Sequence, residues 1–225
     1  MHGQNRFFPA TSALIAALIF AAGCGSEPEL SKARPRTPKL DLDARVAPDS
    51  IRAMRLDVPF KAQVPPGVWK TTGNCNPACF AMIYSHHRGT SPTAAMIREF
   101  NDWALANSGK EHRNYNGTKT GYSFGEMKKF AQYKGLPPAH TIKANLPILI
   151  GKLEDGIPCV VSVKRRLDER VETRHAMLVV GIDREHIITH DPGRSAGKYL
   201  KYPLEKFLKV WRGGDNVMFY VEKGD

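Results

Sequence analysis

The stretch Gly73-Asn74-Cys75-Asn76-Pro77-Ala78-Cys79 is where a polar, turn-rich run gives way to an apolar segment, Ala78 to Tyr84. Pro77 suits the first turn of a helix, where its missing N–H leaves no bond unmade. Asn76 directly before it is a good N-cap. The spacing therefore sets Cys75 at or just before a helix N-terminus. The unpaired N–H groups and positive dipole end there lower a thiol's pKa and favour the thiolate. A thiolate that acts as a nucleophile also needs a base.

The base is found a hundred residues on. Arg174 to Ile182 and Ile187 to His190 read as two strands joined by a short turn at Asp183–Glu185. A turn centred near residue 184 sets Asp191 opposite Met177, close to His175 at the start of the first strand. An aspartate bonded to one ring nitrogen fixes the imidazole tautomer and leaves the other nitrogen to act as base. His190 is a neighbouring candidate, but side-chain alternation turns it to the face opposite Asp191. His86 and His87 are adjacent on a helix and point about 100° apart, so they do not chelate one ion together and read as a solvated face. No metal site and no cofactor is expected.

The N-terminus sets the compartment. Arg6 precedes an apolar run, Phe7 to Ala22, too short to be read as a membrane span but fitting a signal-peptide core. Ala21-Ala22-Gly23-Cys24 closes it, small residues before a cysteine that resemble the lipobox of bacterial lipoproteins. That likeness implies residues 1–23 as a signal peptide and Cys24 as a lipidated mature N-terminus. It places the protein on a membrane by its lipid, at the periplasmic face of the outer membrane or the cell surface. An ordinary cleaved signal peptide is the alternative, and either way the protein is exported. Residues 24–50 carry Pro28, Pro35, Pro38 and Pro48 among charged residues and read as a linker. The folded domain is then 51–225.

Export makes the cysteines countable. With Cys24 taken by lipid, Cys75, Cys79 and Cys159 remain, an odd number. If Cys75 is the free thiol, Cys79 and Cys159 form a candidate disulfide, or both are small core residues. The three-residue interval between Cys75 and Cys79 does not match the two-residue dithiol motif.

The chain has 225 residues, 42% of them hydrophobic, which is enough for a real core. Its formal net charge is +11, yet Lys and Arg are scattered with no aromatic-interleaved basic block. Nucleic acid is therefore not the expected partner; a cationic surface suits anionic lipid or glycan. Leu56 to Phe60 reads as an edge strand. Helices are expected from Cys75 to about His87, from an N-cap at Ser91-Pro92, from the capping box Ser123/Glu126, and over Leu146 to Leu153. Strands follow at Ile157 to Val163, in the hairpin, and at Asn216 to Val221, with a helix at Leu204 to Trp211. Helices first and antiparallel strands second define an α+β class.

Four stretches together resemble one family. They are Val58-Pro59-Phe60-x-x-Gln63, Asn74-Cys75-Asn76-Pro77-Ala78, Arg174-His175-Ala176-Met177-x-Val179-Val180-Gly181, and His190-Asp191-Pro192. In this order and spacing they are similar to the papain-like cysteine peptidases related to bacteriocin-leader processing. The resemblance spans roughly residues 55–222. It implies a nucleophile helix packed on a C-terminal antiparallel sheet, and a peptide or protein substrate. It implies Cys75 as nucleophile, His175 as general base and acid, Asp191 as the orienting residue and Gln63 as an oxyanion donor beside the Cys75 N–H. Asn76 stands where the family usually has Gly. The alternative is an inactive peptidase-like module that binds peptide or cell-wall material in the same cleft.

Overall fold

The computed structural model describes residues 40–64, 73–108, 121–164 and 174–224, which fall within one compact unit, Lys39–Asp225. The Cys24 region lies outside the described residues. A two-residue strand, β1 (Met54–Arg55), precedes three helices: α1 (Cys75–Arg88), α2 (Ala94–Ser108) and α3 (Phe124–Tyr133). Then come β2 (Ala139–Lys143), α4 (Leu146–Glu154), β3 (Cys159–Val163), β4 (His175–Ile182), β5 (His186–His190), β6 (Leu200–Pro203), α5 (Leu204–Gly213) and β7 (Val217–Val221).

The strands form one sheet in the order β2-β7-β3-β4-β5-β6, with β1 added beside β4. Every pairing is antiparallel. The sheet is covered on both faces, and alternation along the strands, shifted once within β4, sorts the residues. Val160, Leu178, Val180, Ile188 and Phe219 face the layer built by α1, α2 and α3. Cys159, Val161, Met177, Val179, Ile187 and Met218 face the layer built by α4 and α5. This double burial is why β3 and β4 read as near-continuous apolar runs instead of alternating. In the first layer Phe80, Phe100 and Phe130 pack with ring centroids 4.7 to 5.8 Å apart. Each is almost fully buried and stabilises the layer by roughly 1.5–3 kcal/mol.

The β4–β5 hairpin carries an irregularity that matters for the site. Near its turn the pairs are Ile182↔Ile187 and Gly181↔Ile188, but beyond it they are Val179↔Thr189 and Leu178↔His190. Val180 is the extra residue, a bulge, and its carbonyl accepts from Leu56 N at 2.7 Å. Gly181 makes room for β1: a Cβ there would lie 2.5 Å from the Met54 carbonyl.

The α+β class and the helix-on-antiparallel-sheet arrangement agree with the sequence reading, and α4 and α5 add a covering layer on the second face. Several local details differ. The helix begins at Cys75 with Asn74 as its N-cap, so Asn76 lies inside the first turn. The second helix starts at Ala94, where the Thr93 hydroxyl accepts from Met96 N, and not at Ser91-Pro92. The edge strand is Met54–Arg55, earlier than Leu56 to Phe60, because Pro59 has no N–H to give a ladder. Strands β2 and β6 were not anticipated; both are short edge strands with exposed polar residues. Residues at the end of the expected linker lie against the domain: Asp41 and Leu42 carbonyls accept from Asn145 and Asn216 side chains.

Candidate active site

Cys75 is the first residue of α1 and is partly exposed. Its helix starts cleanly because Asn74 O accepts from Ala78 N at 2.9 Å, while Pro77 has no N–H to leave unpaired. His175 and the main chain of Ala176 and Asn76 lie beside the thiol and favour its charged form. Burial acts to raise its pKa, but the His175 contact and charge and the two main-chain groups outweigh burial, so the thiol sits below its ordinary value.

His175 opens β4 and is 7% exposed. Its Nε2 donates to Asp191 Oδ1 at 2.7 Å, which leaves Nδ1 as the ring nitrogen for the thiol. Burial pulls the imidazole pKa down, yet the bond to Asp191, the neighbouring Cys75 thiol and the charges of both push it up to about 9. A lowered thiol beside a raised imidazole favours the thiolate–imidazolium pair near neutral pH.

Asp191 is 1% exposed and is held on several sides. Oδ1 also accepts from Gly193 N at 2.8 Å, as expected of an Asp-Pro-Gly turn. Oδ2 lies 3.6 Å from Arg194 Nε. The Asp191 N–H donates to the Gly197 carbonyl at 2.9 Å. A Cβ on Gly197 would meet Asp191 O at 1.9 Å, so only glycine lets this loop close. Continuing the register past Leu178↔His190 sets Asp191 opposite Met177, on the same face as His175. Without the bulge at Val180 it would fall opposite Leu178, on the other face.

Gln63 is buried, and its N–H donates to Pro192 O at 2.8 Å, which ties its segment to the turn carrying Asp191. Asn76 is also buried, and its Nδ2 donates to the carbonyl of Tyr122. The side chain beside the thiol is thus turned into the helical layer. Asn74, fully buried, accepts from Asn101 Nδ2 at 3.2 Å, linking α1's cap to α2. The Asn74 and Asn76 contacts escaped sequence reasoning; each joins residues far apart in the chain with no spacing signal.

The disulfide left open between Cys79 and Cys159 is not made; both thiols are free and buried. The reason is the layering: Cys79 packs in the α1–α3 layer and Cys159 in the α4–α5 layer, on opposite faces of the sheet. Among the described residues no group of three or more His, Cys, Asp or Glu could hold a metal ion, and no helix is long and apolar enough to cross a membrane.

A helix-start thiol set against an imidazole on an antiparallel sheet is the arrangement of papain-like cysteine peptidases. Residues 55–217 match the model of the Peptidase_C39 like family. The chain belongs to this family and is a cysteine peptidase. It is similar in fold to a Bacillus anthracis protein described as a C39-like peptidase: TM-score 0.59 at 17% identity, covering 78% of this chain and 100% of that one. It also matches the peptidase domain of Streptococcus ComA, a bi-functional ABC transporter involved in a quorum-sensing pathway. There the TM-score is 0.49 at 19% identity, with 74% and 98% of the two chains covered. No curated protein matches the chain.

Replacing Asn76 by Ala removes the buried bond to Tyr122 and is expected to lower unfolding free energy by about 1–3 kcal/mol. Denaturant unfolding measures it; an unchanged midpoint would show that the contact carries no stability.

Proposed function

We propose that this cysteine peptidase is an exported, lipid-anchored enzyme that cleaves a peptide or amide bond through an acyl-thioester on Cys75. The observation that carries the reading is the 2.7 Å His175–Asp191 hydrogen bond, joined to a thiol lowered and an imidazole raised by their mutual contact. Cys75 is the nucleophile, His175 the general base and acid, and Asp191 the orienting residue. Gln63 and the Cys75 N–H donate to the oxyanion. The Cys75 thiolate attacks the carbonyl carbon, a C–S bond forms, and the carbonyl oxygen takes the negative charge. The His175 imidazolium gives its proton to the leaving nitrogen as the C–N bond breaks. Water then loses a proton to His175, its oxygen bonds to the acyl carbon, and the C–S bond breaks to release the acid and regenerate the thiolate–imidazolium pair. The inactive binding-module reading drew its support from Asn76, whose side chain is buried against Tyr122.

The substrate class is a peptide or protein reached from the membrane surface. Support for the anchor comes from the sequence: the apolar run, the small residues before Cys24, and the Pro-rich, charged composition that follows.

Purified protein given a complex peptide library should cut peptides, and Cys75→Ser and His175→Ala should lose that cleavage by a factor of about 10³ or more. The rate needs the ion pair. It should fall on the acid side as the Cys75 thiolate gains a proton, below the ordinary thiol pKa, and on the alkaline side around 9 as His175 loses its proton. Cleavage that survives in Cys75→Ser would overturn the assignment. Separately, bacteria fed an alkyne-tagged fatty acid should label the full chain but not its Cys24→Ser variant; equal labelling of both would exclude the anchor.

A further inference from the structure

His190 is fully buried beside Asp191, yet it takes no part in the Cys75–His175–Asp191 contacts. Register puts it opposite Leu178, on the face of the α1–α3 layer, where it packs against Phe60 at 5.5 Å and Tyr199 at 4.6 Å between ring centroids. Both ring nitrogens are occupied by main chain. Tyr199 N–H donates to Nδ1 at 3.1 Å, so Nδ1 carries no proton. Nε2 therefore carries it and donates to Val58 O at 2.8 Å. A ring with both nitrogens used in this way is not available as a base.

The Val58 bond has a specific place. Residues 54 to 63 run beside the β4–β5 hairpin and are fastened at intervals. Met54 and Arg55 pair with β4, Leu56 N donates to Val180 O, and Gln63 N donates to Pro192 O. Between Leu56 and Gln63, Pro59 has no N–H to give. The His190 ring is the fastening at that gap. Tyr199, which holds the other side of the ring, is itself fixed: its φ is +53°, its hydroxyl donates to Asp57 Oδ1 at 2.9 Å, and Arg55 lies over its ring. That conformation is costly for a non-glycine residue and is held here by its contacts on both sides.

We propose that His190 is a positioning residue for the oxyanion side of the site, clamping the Val58–Gln63 arm to the strand whose next residue, Asp191, orients His175. Two consecutive side chains at the end of β5, turned to opposite faces of the sheet, thereby set the two halves of one reaction. The proposal rests on the reading of Gln63 as oxyanion donor.

Two reactions of Cys75 separate the roles in the full-length protein held in detergent. Acylation by p-nitrophenyl acetate passes through an oxyanion, and alkylation by iodoacetamide does not. Gln63→Ala should slow acylation by about 10²-fold, the usual cost of an oxyanion donor, and leave alkylation within about twofold. His190→Leu should reproduce that pattern with at least a tenfold loss in acylation, roughly the lower reach of a misplaced donor. His190→Gln, which keeps a donor and an acceptor, should recover part of it. Normal acylation in Gln63→Ala would sink the oxyanion reading itself. Slow Gln63→Ala with normal His190→Leu would overturn the proposal alone. Equal slowing of both reactions in His190→Leu would reduce His190 to general support and also overturn it. Should His190→Leu fail to fold, His190→Asn undergoes the same comparison and decides it by the same criteria.

Discussion

The hydrogen bond between His175 Nε2 and Asp191 Oδ1 depends on a single inserted residue. The two side chains come from one hairpin, and side chains in a hairpin share a face only when their register has the right parity. The turn at Asp183 to His186 fixes one register and the bulge at Val180 changes it by one step before the strands reach the site. That step carries Asp191 to the face of His175 and leaves His190 on the other. The bulge is also where Leu56 docks, and Gly181 beside it admits β1. One local irregularity therefore sets the imidazole's partner and receives the segment that leads to Gln63.

The three described cysteines show how strongly surroundings decide the chemistry of one side chain. Cys79 lies one turn along the helix from Cys75. Burial, then the nearby charges of Cys75 and Asp191, push its thiol well above the ordinary value. Cys159, on the other side of the sheet, is pushed up mainly by burial. Cys75 is also penalised by its surroundings, but it alone has the imidazole contact and the free N–H groups of a helix start. The helical layer supplies the thiol and the sheet supplies the imidazole. The core that presses them together is the set of buried apolar residues shared by α1 and β4.

Much of this was legible in the residues because the signals are local. A proline and asparagines at the head of an apolar segment mark a helix start. Two β-branched runs around a short charged turn mark a hairpin, and counting across that turn brings Asp191 toward His175. Ser123 with Glu126 made the capping box as read. What was not legible joins distant parts of the chain. Nothing in the sequence says that Asn76 reaches Tyr122, that Asn101 reaches Asn74, or that His190 bonds the Val58 carbonyl. The short strands β2 and β6 escaped because edge strands with exposed polar residues lack an apolar run. The idea of a Cys79–Cys159 disulfide failed for want of knowing that the sheet is covered on both faces.

The most direct measurement is a nitrogen NMR titration of the histidine-labelled protein, with the His175 signals assigned by their loss in His175→Gln. At neutral pH both ring nitrogens of His175 should be protonated, and the imidazolium should persist until the pH reaches about 9. In Cys75→Ser the transition should move to lower pH, because the thiolate charge that favours the imidazolium is gone. A neutral His175 ring at neutral pH, or a transition that Cys75→Ser leaves in place, would contradict the assembled thiolate–imidazolium pair on which the account rests.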